Sequence, residues 1–173
     1  MAIHPPYPNM PQPLATLTLD LPDEAATRRF GAVLAHLLRP GDIVLLDGSY
    51  GAGKSTLARA ILRSMAGDPA LDVPSPSFTL VQEYETPAGD VRHYDLWRIS
   101  NPGELAELGW GPGSEAINLV EWPEKLGRLR PSQAMTIALS NTGEESRQAA
   151  ISAPTEQIAA LRAAMASDSG GTA

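Results

Sequence analysis

The stretch that most constrains this chain runs from Ile43 to Leu62. An unbroken apolar run, Ile43-Val44-Leu45-Leu46, leads through Asp47 into Gly48-Ser49-Tyr50-Gly51-Ala52-Gly53-Lys54-Ser55. Beyond it Leu57, Ala58, Ile61, Leu62 and Met65 recur at helical spacing. A short run of this kind is the pattern of a parallel strand buried on both faces. Gly48, Gly53, Lys54 and Ser55 fit the spacing G-x-x-x-x-G-K-[ST] of a phosphate-binding loop. Gly48, Gly51 and Gly53 permit φ > 0 and close approach, so successive N–H groups from Tyr50 through Ala52 to Ser55 can face one concavity. A helix starting at Lys54, with Thr56 in its first turn, adds its positive dipole end to the same place. Lys54 can then reach β- and γ-phosphates, and the Ser55 hydroxyl can bind Mg²⁺. A chance glycine turn holding a lysine needs no strand before it and no amphipathic helix after it; this sequence has both. The expected fold is α/β, a P-loop NTPase-like three-layer arrangement around a mixed, mainly parallel sheet with antiparallel hairpins.

The flanking segments fill in that architecture. Leu14–Asp20 alternates at period two and predicts a strand. Pro22 suits a helix N1 position with Asp23 and Glu24 in the first turn, and Ala26, Phe30, Val33, Leu34, Leu37 and Leu38 form the apolar stripe. Pro74-Ser75-Pro76-Ser77-Phe78-Thr79 sets three hydroxyls on alternate residues. Such hydroxyls either make local turns or form a loop that senses the γ-phosphate and its metal, and composition leaves both readings open. Thr79–Tyr84 and Val91–Asp95 around Pro87-Ala88-Gly89-Asp90 predict a hairpin. Asn101, Pro102 and Glu104 carry helix-start signals. Ile117–Val120 is a strand ending in Glu121-Trp122-Pro123, Met135–Ser140 and Ser146–Ile151 form a last hairpin, and Pro154–Met165 is an amphipathic helix. One domain is expected over residues 14–166, with a disordered Pro-rich lead-in over 1–13 and a flexible tail over 167–173.

Composition removes several classes of chemistry. The chain has 173 residues, enough for one substantial core. It has no cysteine, which excludes disulfides, thiol catalysis and thiolate-bound zinc. His4, His36 and His93 are scattered, against a histidine-rich metal site. No apolar run approaches a membrane span, and Met1–Pro8 lacks the basic and apolar regions of a signal peptide, so the expected location is the cytoplasm. A net charge of −7 disfavours independent binding of nucleic acid.

Phosphoryl chemistry at such a loop needs a second acidic group at the end of a neighbouring strand. Glu121 follows a buried-type strand, and ligands of open α/β sheets bind beyond the strands' carboxyl ends. It is the better metal-linked carboxylate. Asp95, after the more polar Val91-Arg92-His93-Tyr94 with its half-exposed pattern, suits orientation of water or of the hydroxyl loop. Either residue could also be an ordinary solvated carboxylate or cap.

Taken together, Gly51-Ala52-Gly53-Lys54-Ser55-Thr56, Ser75–Val81, His93-Tyr94-Asp95-Leu96-Trp97-Arg98, Asn101-Pro102-Gly103-Glu104-Leu105 with Leu108-Gly109, and Val120-Glu121-Trp122-Pro123 resemble the TsaE (YjeE) family. That family comprises bacterial ATPases needed for threonylcarbamoyladenosine in tRNA. The similarity spans about Pro22 to Ile151. It implies weak ATPase activity used within a complex with TsaB- and TsaD-type partners, tRNA being met through them, and a chain that alone is a monomer or weak dimer. By resemblance Ser55 and Glu121 coordinate Mg²⁺, Lys54 and the Tyr50–Ser55 amides bind phosphates, Ser75–Thr79 is the switch-like loop and Asp95 is required for turnover. The same resemblance implies that Trp122 lies near the nucleotide, while the early helix around Glu24 and Thr27 and the last hairpin around Arg147 flank the adenine. The chain departs from the commoner pattern at Ser49, Tyr50, Ser55, Ser77 and Trp97; serine for threonine keeps the metal-binding hydroxyl.

Three functions follow from these features. The first is an Mg²⁺-ATPase serving a tRNA-modifying complex, with Lys54, Asp95 and Glu121 as its catalytic residues. A small-molecule kinase is the second, although no arginine-rich lid is visible. The third is a nucleotide-dependent binding module without hydrolysis, in which Asp95 and Glu121 act conformationally.

Overall fold

The structure, a computed structural model, describes residues 11–111 and 113–169. Positions 1–10 of the expected lead-in and 170–173 of the expected tail lie outside the described residues. Among these residues seven strands form one sheet: β1 (Leu14–Leu21), β2 (Ile43–Asp47), β3 (Val81–Thr86), β4 (Gly89–Asp95), β5 (Ile117–Glu121), β6 (Met135–Asn141) and β7 (Arg147–Pro154). Their order is β1-β7-β6-β2-β5-β4-β3. The central pairs β6/β2, β2/β5 and β5/β4 are parallel; the outer pairs β1/β7, β7/β6 and β4/β3 are antiparallel. The expected mixed sheet is therefore parallel where the glycine loop emerges and antiparallel at its flanks.

Strand alternation divides the core between two faces. Val44, Leu46, Leu119, Ile137 and Ile151 pack on one side against α1 (Glu24–Leu37), α2 (Lys54–Ala66) and α3 (Thr155–Ser169). Leu45, Val120, Tyr94 and Leu96 pack on the other against two short 3₁₀ helices, Pro102–Ala106 and Pro123–Leu129. The layers are helices, sheet and a thin 3₁₀ cover. Helices α1 and α2 lie close together because Gly31 has no side chain. A Cβ there would stand 2.6 Å from the Cβ of Ala60.

Several boundaries moved for local reasons. Pro22 is not the N1 residue: Asp23 is the N-cap, its carboxylate accepting from Ala26 N at 2.6 Å, so Pro22 precedes the helix. The 3₁₀ helix after Asn101 has the expected capping box, with Asn101 and Glu104 satisfying each other's backbone N–H. Strand β3 starts at Val81 rather than Thr79, because Leu80 adopts φ 67° and its N–H closes a turn onto Pro76 O. Helix α3 runs past Met165 to Ser169.

Candidate active site

The site lies where the carboxyl ends of β2, β4 and β5 meet the N-terminus of α2. Gly48 follows β2 with φ 141°, and a Cβ there would stand 2.5 Å from the carbonyl oxygen of Leu139 on β6. Only glycine fits that crossing. Gly51 and Gly53 also have positive φ, and α2 begins at Lys54 without a side-chain cap. An uncapped first turn leaves N–H groups free for an anion.

Lys54 is 5% exposed. Its ammonium donates to Gly48 O at 2.6 Å and Ser49 O at 2.8 Å, and lies 3.8 Å from the ring centroid of Trp122. Burial pushes its pKa below the ordinary lysine value, with Glu121, Glu124, Asp95 and Asp47 pulling in the opposite direction. Trp122 reaches Lys54 from a left-handed backbone, φ 60° and ψ 54°, unusual for an aromatic residue. The following Pro123 disfavours the right-handed helical alternative. Trp97 packs on Trp122 with ring centroids 4.5 Å apart.

Two carboxylates stand side by side, since Asp95 and Glu121 are partners in the β4/β5 register. Glu121 is 2% exposed; its Oε2 accepts from Ser55 Oγ at 2.8 Å, and its Oε1 lies 2.8 Å from His93 Nε2. Asp95 is 4% exposed, and its Oδ2 accepts from Ser77 Oγ at 2.7 Å and Ser75 Oγ at 3.1 Å. Its Oδ1 accepts from Trp97 N at 3.1 Å. The hydroxyl loop thus spends two of its hydroxyls on a carboxylate of the site.

A cavity of about 550 Å³ joins these groups. Of the expected site residues, Tyr50, Gly51, Gly53, Lys54, Ser55, Thr56, Asp95, Glu121, Trp122 and Arg147 line it. A second cavity of about 390 Å³ shares Gly53, Thr56 and Arg147 with the first and extends past Asp23, Glu24 and Thr27. Gly48 and Ala52 build the loop from beneath. Thr79 is exposed and stands outside the lining, Ser75 and Ser77 taking the inward positions. Arg92 turns away to Glu83 at 2.8 Å and Gly109 O at 3.2 Å, whereas Arg98 lines the cavity and lies 4.5 Å from the Phe78 ring centroid.

The half-exposed reading of β4 is corrected: His93 is 1% exposed and Tyr94 is fully buried. His93 has a contact to Glu121 that spacing does not reveal, because its partner is 28 residues away. Arg28, Arg59 and Arg63, drawn from two helices, line a further groove that adjoins the site at Thr56. There Arg59 Nε donates to Val73 O and Arg63 Nε to Leu71 O, tying the segment after α2 back onto it.

Comparison with known proteins decides the family. The family model described as "Threonylcarbamoyl adenosine biosynthesis protein TsaE" matches residues 21–149. This chain belongs to the TsaE family. A TsaE of Rickettsia felis, named a tRNA threonylcarbamoyladenosine biosynthesis protein, is 36% identical over 137 residues, covering 77% of this chain and 78% of its own. The TsaE of Haemophilus influenzae, of the same name, is 36% identical over 119 residues, covering 65% of this chain and 74% of its own. Among solved structures, Bacillus subtilis YdiB superposes with a TM-score of 0.68 at 22% identity over 90% of this chain and 97% of that one, a likeness of fold. Membership in TsaE links the chain to tRNA threonylcarbamoyladenosine biosynthesis. No helix among the described residues is long and apolar enough to cross a membrane.

Proposed function

We propose that the chain binds ATP with Mg²⁺ and hydrolyses it weakly in support of tRNA threonylcarbamoyladenosine formation, together with TsaB- and TsaD-type proteins. One observation carries this reading: Ser55 Oγ and Glu121 Oε2 meet at 2.8 Å beside the loop that holds the buried Lys54. A hydroxyl and a carboxylate oxygen converging there suit a magnesium ion. Such ions take one or two protein oxygens and complete their shell with phosphate and water, so they need no dedicated cage. Bound there, the ion would neutralise charge on the β- and γ-phosphate oxygens.

The chain's own groups do the rest. The Lys54 ammonium leaves its loop carbonyls for phosphate oxygens, and the N–H groups at the start of α2 hold the same anion. The cavity extending past Glu24, Thr27 and Arg147 takes the nucleoside. Asp95 is placed to orient the attacking water, but both its oxygens already accept hydrogen bonds from Ser75, Ser77 and Trp97 N. A carboxylate so engaged has little lone-pair capacity left for a water, which supports slow turnover by the chain alone. Tyr50 and Phe78, 89% and 80% exposed, give the neighbourhood of the site an aromatic surface for a protein partner to cover. With a net charge of −7, contact with tRNA falls to that partner.

The test is ATP hydrolysis by the purified chain, alone and with TsaB, TsaD and tRNA, with Lys54→Ala as the blank. Low activity alone and strong stimulation by the partners are expected. Phosphate transfer to an added small acceptor would favour a kinase. Full tRNA modification by Glu121→Ala with ATP still bound would favour a binding module without hydrolysis.

A further inference from the structure

We infer that His93 is a positioning residue for Glu121, its ring N–H fixing which oxygen of that carboxylate faces Ser55. The inference rests on the magnesium reading of Ser55 and Glu121. In the β4/β5 register His93 pairs with Leu119 and Asp95 with Glu121, so His93 and Glu121 are diagonal neighbours on one face of the sheet. Each carboxylate oxygen has one side-chain partner, His93 Nε2 on Oε1 and Ser55 Oγ on Oε2, both at 2.8 Å.

The division matters because the terminal torsion of a glutamate is soft. Held only through Oε2, the carboxylate can swing and present either oxygen; held at Oε1 by a ring locked in the core, it cannot. Burial raises the stakes, since a carboxylate taken out of water must have its oxygens hydrogen-bonded. Among the described residues His93 has no other polar partner: its Nδ1 is buried without a hydrogen bond, an arrangement that costs stability and that an apolar side chain would avoid. What keeps an imidazole here is the contact through Nε2. The arrangement is the outer-sphere support familiar from metal sites, where loss of such a partner weakens metal affinity about 10- to 100-fold.

The experiment uses the full chain and measures ADP affinity by calorimetry with and without Mg²⁺; the ratio is the metal coupling. His93→Gln carries an amide N–H near the position of Nε2, whereas His93→Leu fills space without a donor. His93→Asn, whose amide stops at the position of Nδ1 and so leaves Glu121 Oε1 without a donor just as leucine does, stands in as the donor-less variant should the leucine one not fold. The donor-less variant is expected to lose about tenfold or more of the coupling, with Mg²⁺-free ADP affinity kept within about twofold and coupling in His93→Gln within about threefold of wild type. Unchanged coupling in the donor-less variant, with wild-type coupling present, overturns the inference. So does equal loss in the donor-less and glutamine variants, because shape and not the N–H would then matter. A wild-type chain without coupling overturns the magnesium reading and this inference together.

Discussion

Gly48→Ala tests how the loop is anchored. At φ 141° an alanine enters a backbone region that L-residues avoid, at a cost of about 1–3 kcal/mol. Its Cβ would also stand 2.5 Å from Leu139 O, a main-chain atom of β6 that cannot rotate aside. Relief requires moving the loop or β6, and β6 is hydrogen-bonded to β2 and β7 on its two sides. Shifts of this kind in a packed core cost about 1–3 kcal/mol more. The total is about 4 kcal/mol, a large part of the about 5–15 kcal/mol that stabilises an ordinary domain. With a urea slope of about 2 kcal/mol/M, the midpoint should fall by about 2 M. Gly51→Ala is the control: Gly51 has φ 75°, and nothing lies within 4 Å of its would-be Cβ. Only the left-handed backbone is penalised there, about 1–2 kcal/mol or a midpoint shift of about 0.5–1 M. Urea unfolding followed by circular dichroism measures both. Equal shifts in the two variants would refute the crossing as the anchor.

Two further predictions concern charge and hydrogen bonding. The folded-state pKa of Lys54 is lowered by burial, so between that value and the unfolded value of 10.5 the unfolded chain binds more protons. Stability relative to Lys54→Met should therefore rise with pH across that window, while ATP affinity should fall as the ammonium is lost; urea titrations and calorimetry from pH 8 to 11 check both signs, and a flat affinity counts against Lys54 as the phosphate contact. Replacing Ser75 and Ser77 together by alanine removes both side-chain donors to Asp95 Oδ2. The double variant should lose about 1–3 kcal/mol by thermal unfolding, and an unchanged midpoint would mean that the loop does not hold the carboxylate.

The glycine loop, its strand and its helix were legible because each element announces itself locally: an apolar run, glycines at fixed spacing, a helical stripe. The same holds for the hairpins and for the capping box at Asn101. Asp95 and His93 were harder. A strand carrying arginine, histidine, tyrosine and aspartate looks half-exposed, yet β4 is buried because His93 spends its polarity on Glu121 and Tyr94 lays its ring on the 3₁₀ layer. Periodicity reports polarity, and a buried polar residue with a distant partner defeats it. The resemblance puts Thr79 in the switch-like loop with Ser75 and Ser77, but a turn over residues 77–79, closed by Leu80 N–H on Pro76 O, breaks the alternation and leaves Thr79 exposed. The Pro123–Leu129 segment had no readable period, being 3₁₀ and kinked at Gly127.

Asp95 and Glu121 are opposite residues on neighbouring parallel strands, so their spacing is a property of strand register and not of any loop. Inserting or deleting one residue within β4 or β5 would turn every later side chain of that strand to the other face, exchanging a carboxylate for its apolar neighbour. The connection at Pro87–Ala88 lies outside that constraint and can change length freely. A lineage of such chains can therefore vary its surface by lengthening turns, but within these two strands it can explore only substitutions.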